Sequence, residues 1–252
     1  RSSLLPNLCK AVVKNERYFD EFSIFETAQV FRDENYTSPY DPREKLPSQR
    51  KNVAGAFATT DKDITALFRK AKGVVEMMAR YVHMEALTFK QAEKPVWADN
   101  VVWLNIYRGD EKVGDLALLA KKVSMACGIK NMNVMLFQLD QDSLVPLKSR
   151  TNTFTHLAEY PMTDYDISLL VDGSVQWKDV AQTVRSIKSE LLHGAAFVDE
   201  YRGKQVPAGK KSLTLRLAIG SKDKTLTSAE IEEVASGVLN KIAKRFGAEL
   251  RR

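Results

Sequence analysis

Residues 160–172 read YPMTDYDISLLVD, residues 196–220 read AFVDEYRGKQVPAGKKSLTLRLAIG, and residues 246–252 read FGAELRR. All three stretches carry strand signals. Ile167, Leu169 and Val171 alternate with Asp166 and Ser168, and Leu213, Leu215 and Leu217 alternate with Ser212, Thr214 and Arg216, the period of two expected of half-buried strands. Between them the spacing predicts two amphipathic helices, over residues 177–192 and 227–246. Ser174 precedes the first as its cap; Thr227 opens a Thr-Ser-Ala-Glu capping box for the second, which Gly247 stops. The order is β-α-β-β-α-β. Both helices must then cover one face of the sheet, leaving the other open, polar and basic, a surface of the kind that receives single-stranded RNA.

At 252 residues the chain can bury a real core, as one large domain or two ordinary ones. A hydrophobic content of 44% with 28% charged residues is that of a soluble globular protein. No apolar run approaches the ~20 residues of a membrane span and no signal peptide is evident, so no membrane partner is expected. Cys9 and Cys127 supply neither a disulfide framework nor a metal spacing, which favours a reducing, cytoplasmic setting. The net charge of +6 permits an acidic partner such as nucleic acid. The chain begins at Arg1 without methionine, inside an amphipathic segment, and is expected to be a piece of a longer polypeptide.

Two domains are expected, over residues 1–150 and 160–252, joined by a polar linker over residues 144–159. In the first, a helix is predicted over residues 3–14, then a strand over 22–31. The stretch 32–51, with Pro39, Pro42 and Pro47, reads as an exposed loop. Residues 52–59 form a small-residue strand, and a long helix over 63–84 starts at Asp61 or Asp63. Strands follow at 86–91, 101–107, 113–119 and 133–139, with a helix over 120–127 ended by Gly128. That order implies a mixed or antiparallel sheet flanked by helices, an α+β protein. Leu4, Leu5, Leu8, Val12 and Val13 form an apolar stripe whose exposure would drive dimerisation of the chain.

The residues resemble a known family. Arg1-Ser2-Ser3-Leu4-Leu5-Pro6-Asn7-Leu8 and residues 23–31, SIFETAQVF, are similar to the Arg-Thr-Ser-Leu-Leu-Pro-Gly-Leu-Leu and Phe-Glu-x-Gly-x-Val-Phe stretches of the bacterial phenylalanyl-tRNA synthetase beta subunit. Tyr201-Arg202-Gly203, Pro207, Gly209-Lys210-Lys211-Ser212-Leu213, Arg216-Leu217 and Thr225-Leu226-Thr227 are similar to the ferredoxin-fold anticodon-binding domain that closes that subunit. In the middle the usual His-Pro-Gly-Arg-Ser-Ala run is replaced by Lys94-Pro95-Val96-Trp97-Ala98-Asp99, and only Val113-Gly114-Asp115-Leu116 matches the later Ile-Gly-x-Leu/Ile pattern. The resemblance implies a class II synthetase-like domain without catalysis, followed by a ferredoxin-like domain. It also implies a heterotetramer in which the alpha subunit activates phenylalanine, with ATP and magnesium used by the parent complex and no cofactor held by this chain.

The residues agree with a chain inactive alone. Class II chemistry needs one arginine on the ATP α-phosphate and a second, on a glycine-rich strand-helix junction, on the γ-phosphate, where charge develops. Phe31-Arg32-Asp33-Glu34 has the form of the first motif, weighed against a solvated loop arginine, and no segment of the second kind follows. Gly203 to Ser212 is no phosphate loop, because Gly209-Lys210-Lys211 opens a strand and not a helix N-terminus. His83, His156 and His193 stand apart from one another and from the cysteines, so neither a metal site nor a catalytic residue is expected.

For RNA, the open face should present Asp166, Ser168, Ser212, Thr214 and Arg216, with Tyr201 at the end of the second strand. Tyr201 would stack on a base, Ser212 and Asp199 would hydrogen-bond a base edge, and Arg202, Lys204, Lys210 and Lys211 would hold phosphates. The resemblance implies that Tyr201 and Ser212 meet the first anticodon base of tRNA-Phe. The family's usual Arg-Asp-Leu is here Tyr165-Asp166-Ile167, which removes one phosphate contact. The competing reading is a protein-interaction scaffold whose ferredoxin-like module no longer binds RNA.

Overall fold

A computed structural model describes residues 1–37, 45–82, 84–144 and 159–251. The expected linker and two of the three histidines, His83 and His156, fall wholly or largely outside the described residues. The chain divides into two compact units, Arg1–Thr153 and Phe154–Arg252. No helix among the described residues is long and apolar enough to cross a membrane.

In the first unit, α1 (Leu5–Asn15) leads into β1 (Glu21–Thr37) and β2 (Lys45–Thr59), followed by α2 (Ile64–Tyr81), β3 (Thr88–Lys90), β4 (Ala98–Arg108), β5 (Glu111–Leu119), α3 (Lys121–Cys127) and β6 (Asn133–Asp140). The strands make one six-stranded sheet in the order β1-β2-β6-β5-β4-β3, antiparallel at every pairing. Both faces are covered, so its central strands are apolar on both sides. Ala54, Ala56, Ala58 and Leu136 pack with Leu8, Cys9 and Val12 of α1 and with Leu4, which precedes it. Phe57, Met135, Phe137 and Leu139 pack on the other face with Leu67, Ala71 and Val75 of α2. The alanines of β2 are small where α1 lies against the sheet.

Several expectations are corrected here. Leu4, Leu5, Leu8 and Val12 are buried in the core, so the stripe of α1 offers no dimerisation face. Residues 32–37 and 45–51 of the stretch expected as an exposed loop continue the hairpin, with Arg32 paired to Ser48, Asn35 to Pro47 and Thr37 to Lys45, while residues 38–44, with Pro39 and Pro42, lie outside the described residues. Proline is tolerated because β2 bonds β6 only from Asn52 onward and Pro47 sits beside a register shift. Arg32 is therefore a strand residue, 3.2 Å from the Asp140 carboxylate, and not a solvated loop arginine. Asp63 caps α2 as expected, accepting hydrogen bonds from the backbone of Thr65 and Ala66. Gly128 closes α3 with φ of 88°. Cys9 of α1 neighbours Cys127, and its thiol is pushed up to about 12, chiefly by burial and then by Cys127.

The second unit runs β7 (Thr163–Asp172), α4 (Trp177–Arg185), β8 (Leu192–Tyr201), β9 (Lys210–Ile219), α5 (Ser228–Phe246) and β10 (Glu249–Leu250). Its sheet order is β10-β7-β9-β8, every pairing antiparallel. Ile167, Leu169, Val171, Leu213, Leu215 and Leu217 bury against Val180 and Val184 of α4 and Val238 and Ile242 of α5. Helix α4 stops at Arg185 and not at residue 192. Ser186 turns its hydroxyl onto the Thr183 carbonyl, and Leu192 is taken by β8 opposite Ile219. Nor does Ser174 cap α4: it lies in a turn bonded to Asp172, and the capping position is Gln176.

Helix α5 has the full capping box. Thr227 Oγ1 accepts from the Glu230 backbone, the Glu230 carboxylate accepts from the Thr227 backbone, and Gly247 ends the helix at φ 62°. Glu230 is held down at about 2 against an ordinary 4.5, by the Lys224 ammonium first and by Thr227 second. A depressed carboxylate stabilises the fold above its unfolded value and loses that contribution as pH falls through the folded one. Thr227→Ala should cost about 1 kcal/mol at neutral pH. Part of the wild-type loss between pH about 4.5 and 2 should be absent in Glu230→Gln, as read from urea midpoints across that window.

Candidate nucleic-acid interface

The helix-free face of the second sheet is set by register. Across it run rows of paired residues: Ala196, Arg216 and Asp166; then Asp199, Thr214 and Ser168; then Tyr201, Ser212, Leu170 and Glu249. Strict alternation along β8 would put Asp199 and Tyr201 on the helix side with Phe197, which pairs with buried Leu215. The register shifts between Phe197 and Asp199, leaving Val198 as an extra residue. That bulge turns Asp199 and Tyr201 onto the open face, the re-aiming of side chains that bulges perform.

Tyr201 is 40% exposed. Its phenol lies over Gly203, where a Cβ would stand 2.2 Å from the tyrosine oxygen, so the glycine of Tyr-Arg-Gly is what lets the ring lie down. Arg251 reaches the same ring, its guanidinium carbon 5.3 Å from the centroid, while donating to Gln205 Oε1 at 3.1 Å. The Arg251 backbone is tied to the sheet through the Ser168 carbonyl at 2.8 Å. Nothing in the sequence pattern singled out Arg251 or Gln205. The spacing of a terminal strand opposite β7 is the only signal that could have found Arg251.

The other expected residues divide into three groups. Asp199 is exposed and has no hydrogen-bond or ion-pair partner among the described residues, and the same holds for Lys204. Arg202, Lys210 and Arg216 are engaged by neighbours: Arg202 with Glu200 at 2.9 Å and the Gly173 carbonyl at 3.1 Å, Lys210 with Glu249 at 3.0 Å. Arg216 makes a two-pronged pair with Asp166 at 2.7 and 2.8 Å, which holds Asp166 below the usual carboxylate range and raises the arginine. Ser212 is 2% exposed, between Tyr201 and Leu170 in the row.

Lys211 corrects the sequence reading. It pairs with Val171 on the helix side of the sheet, its side chain 6% exposed and its ammonium 2.8 Å from Glu200. Burial raises the Glu200 carboxyl, and hydrogen bonds from Lys211 and Arg202 more than reverse this, leaving it lowered. A lysine so placed is not presented to a phosphate. The face is likewise not simply basic, since Asp164, Asp166, Asp172 and Glu249 share it with the cations, and its balance is near even.

The match to known families follows this division. Residues 158–251 match the ferredoxin-fold anticodon binding domain. Residues 1–141 match the phenylalanyl tRNA synthetase beta chain CLM domain. The chain belongs to the phenylalanyl-tRNA synthetase beta chain family. It is 25% identical over 259 residues to the phenylalanine–tRNA ligase beta subunit of Syntrophus aciditrophicus, and 27% identical over 261 residues to that of Oceanobacillus iheyensis. Both alignments take in 100% of this chain and 31% of the relative, so the chain spans about a third of their length. Its fold is also similar to that of pyrrolysyl-tRNA synthetase from Desulfitobacterium hafniense, at 15% identity over 57% of this chain and 48% of that one, with a TM-score of 0.45.

Proposed function

We propose that the four-stranded unit binds the anticodon loop of tRNA-Phe and that the six-stranded unit is a support through which the chain assembles with an alpha subunit that carries aminoacylation. The observation that carries the reading is the Tyr201 platform: an exposed ring laid on Gly203, bracketed by Arg251, one row from an unpaired carboxylate at Asp199. A base stacks on the ring because every base has a π-face, and Asp199 accepts from N–H groups on a base edge, which selects donors there. Lys204 is available to phosphate. Arg202 and Lys210 join it at small cost, since exposed ion pairs contribute about 0–1 kcal/mol each.

ATP and magnesium belong, on this reading, to the parent complex. The residues present do not fit ATP activation: Arg32 is engaged with Asp140, and among the described residues no glycine-rich strand-helix junction bearing arginine follows it. Titrating the chain with a labelled anticodon stem-loop tests the reading. Saturable binding is expected, with log K falling against log salt at a slope of about −2 for three phosphate contacts. Binding no tighter than to a duplex lacking the loop would favour the protein-interaction scaffold instead.

A further inference from the structure

On the α1 face of the six-stranded sheet, the strands run on past the start of the helix, and a cleft of about 530 Å³ opens there. Its acidic groups are already satisfied. Asp140 accepts from Arg32 at 3.2 Å and from the Asp142 and Ser143 backbone, Asp115 accepts from Asn105 at 2.6 Å and Lys112 at 2.9 Å, and Glu111 is paired with Arg108 at 2.5 Å. Gln138 gives its oxygen to Ser3 and the Leu4 backbone, both at 2.9 Å, which leaves its NH₂ to face the cleft as a donor.

Two cleft residues are not satisfied. Arg50 is half-buried without a partner among the described residues. Asn52 is 2% exposed, and its Oδ1 is buried with nothing bonded to it. A buried amide left unpaired is costly, and here it lies at a position where an apolar side chain would carry no such cost. Register brings these groups together: Asn52 pairs with Asp140 and Ala54 with Gln138, so Asn52 and Gln138 are diagonal neighbours on one face, with Arg50 two residues along. The Asn52 NH₂ has no partner among the described residues either, and it is the donor that Asn52 offers to the cleft. The partial positive charge at the start of α1, where Ser3 and Leu5 line the cleft, acts in the same direction.

We propose that this cleft is a binding site for a small oxyanion, a carboxylate or a phosphate, held by the Arg50 guanidinium and the Asn52 and Gln138 amides. The inference lies outside the anticodon reading and stands or falls separately from it. The test is a titration of the whole chain with inorganic phosphate and with acetate, chloride serving as the ionic-strength control, followed through the side-chain NH₂ signals of Asn52 and Gln138 and the indole N–H of Trp97. Saturable shifts with phosphate alone, acetate alone or both support the site and name its anion. Arg50→Gln should weaken the response at least tenfold, Arg50→Lys should retain part of it, and neither should change anticodon-loop affinity. The proposal is overturned if no anion shifts these signals beyond chloride, or if Arg50→Gln titrates like the wild type with an unchanged melting curve.

Discussion

Tyr201→Ala should lower affinity for the anticodon stem-loop by about 5- to 150-fold, the equivalent of the ~1–3 kcal/mol that one base-aromatic stack contributes. The magnitude follows from how completely the ring is prepared. Gly203 lets it lie flat, Arg251 approaches it with the guanidinium carbon 5.3 Å from the centroid, and the Val198 bulge fixes the side of the sheet on which it emerges. A base docking there meets a surface already ordered, so little of the stacking energy is spent on immobilising the ring. Tyr201→Phe keeps the π-face and should stay within a few fold of wild type. Stability should change little in either variant, because the side chain is 40% exposed at the end of an edge strand. Fluorescence anisotropy at fixed salt measures the affinities, and an alanine variant that binds like the wild type would remove Tyr201 from the interface.

Gly114→Ala should destabilise the six-stranded unit by about 3 kcal/mol, at the upper end of what forced overpacking costs. A Cβ there would stand 2.2 Å from the Gln138 carbonyl oxygen and 2.8 Å from Leu139 Cδ2. The first of these is backbone, in β6, which is bonded on both sides by β2 and β5 and cannot withdraw. Gly114 sits beside the register shift between β4 and β5, where glycine marks a close approach of strands. Gly73→Ala in α2 is the matched control. No atom lies within 4 Å of its added methyl, and a helix-interior glycine replaced by alanine should gain about 0.5–1 kcal/mol. Urea midpoints that move the same way for both would contradict the packing account.

Much of this was legible because it rests on local rules. The alternation of Ile167, Leu169 and Val171 with Asp166 and Ser168 gave β7 its face, and the Thr227 box and Gly247 bounded α5. Where sequence reasoning failed, a non-local pairing decided the outcome. Lys211 reads as part of a basic loop beside Lys210, yet opposite Val171 it faces inward and finds Glu200. Residues 32–37 and 45–51 look like loop because charges and Pro47 stand in them, but a two-stranded ribbon demands neither an apolar face nor every N–H. The one-residue bulge at Val198 leaves no mark in composition, and it decides which side of the sheet carries Asp199 and Tyr201. Arg251 became a site residue only when β10 was placed beside β7.

The central claim is that the open face reads a base and does not merely attract phosphate. Its most direct test is the ratio of affinities for two stem-loops that differ only in the first anticodon base, measured with the wild type and with Tyr201→Ala and Asp199→Ala at one salt concentration. The account predicts that the wild type prefers the tRNA-Phe sequence by tenfold or more and that both variants bind the two loops more nearly alike. Equal affinity of the wild type for the two loops, with the same salt dependence for each, would contradict it.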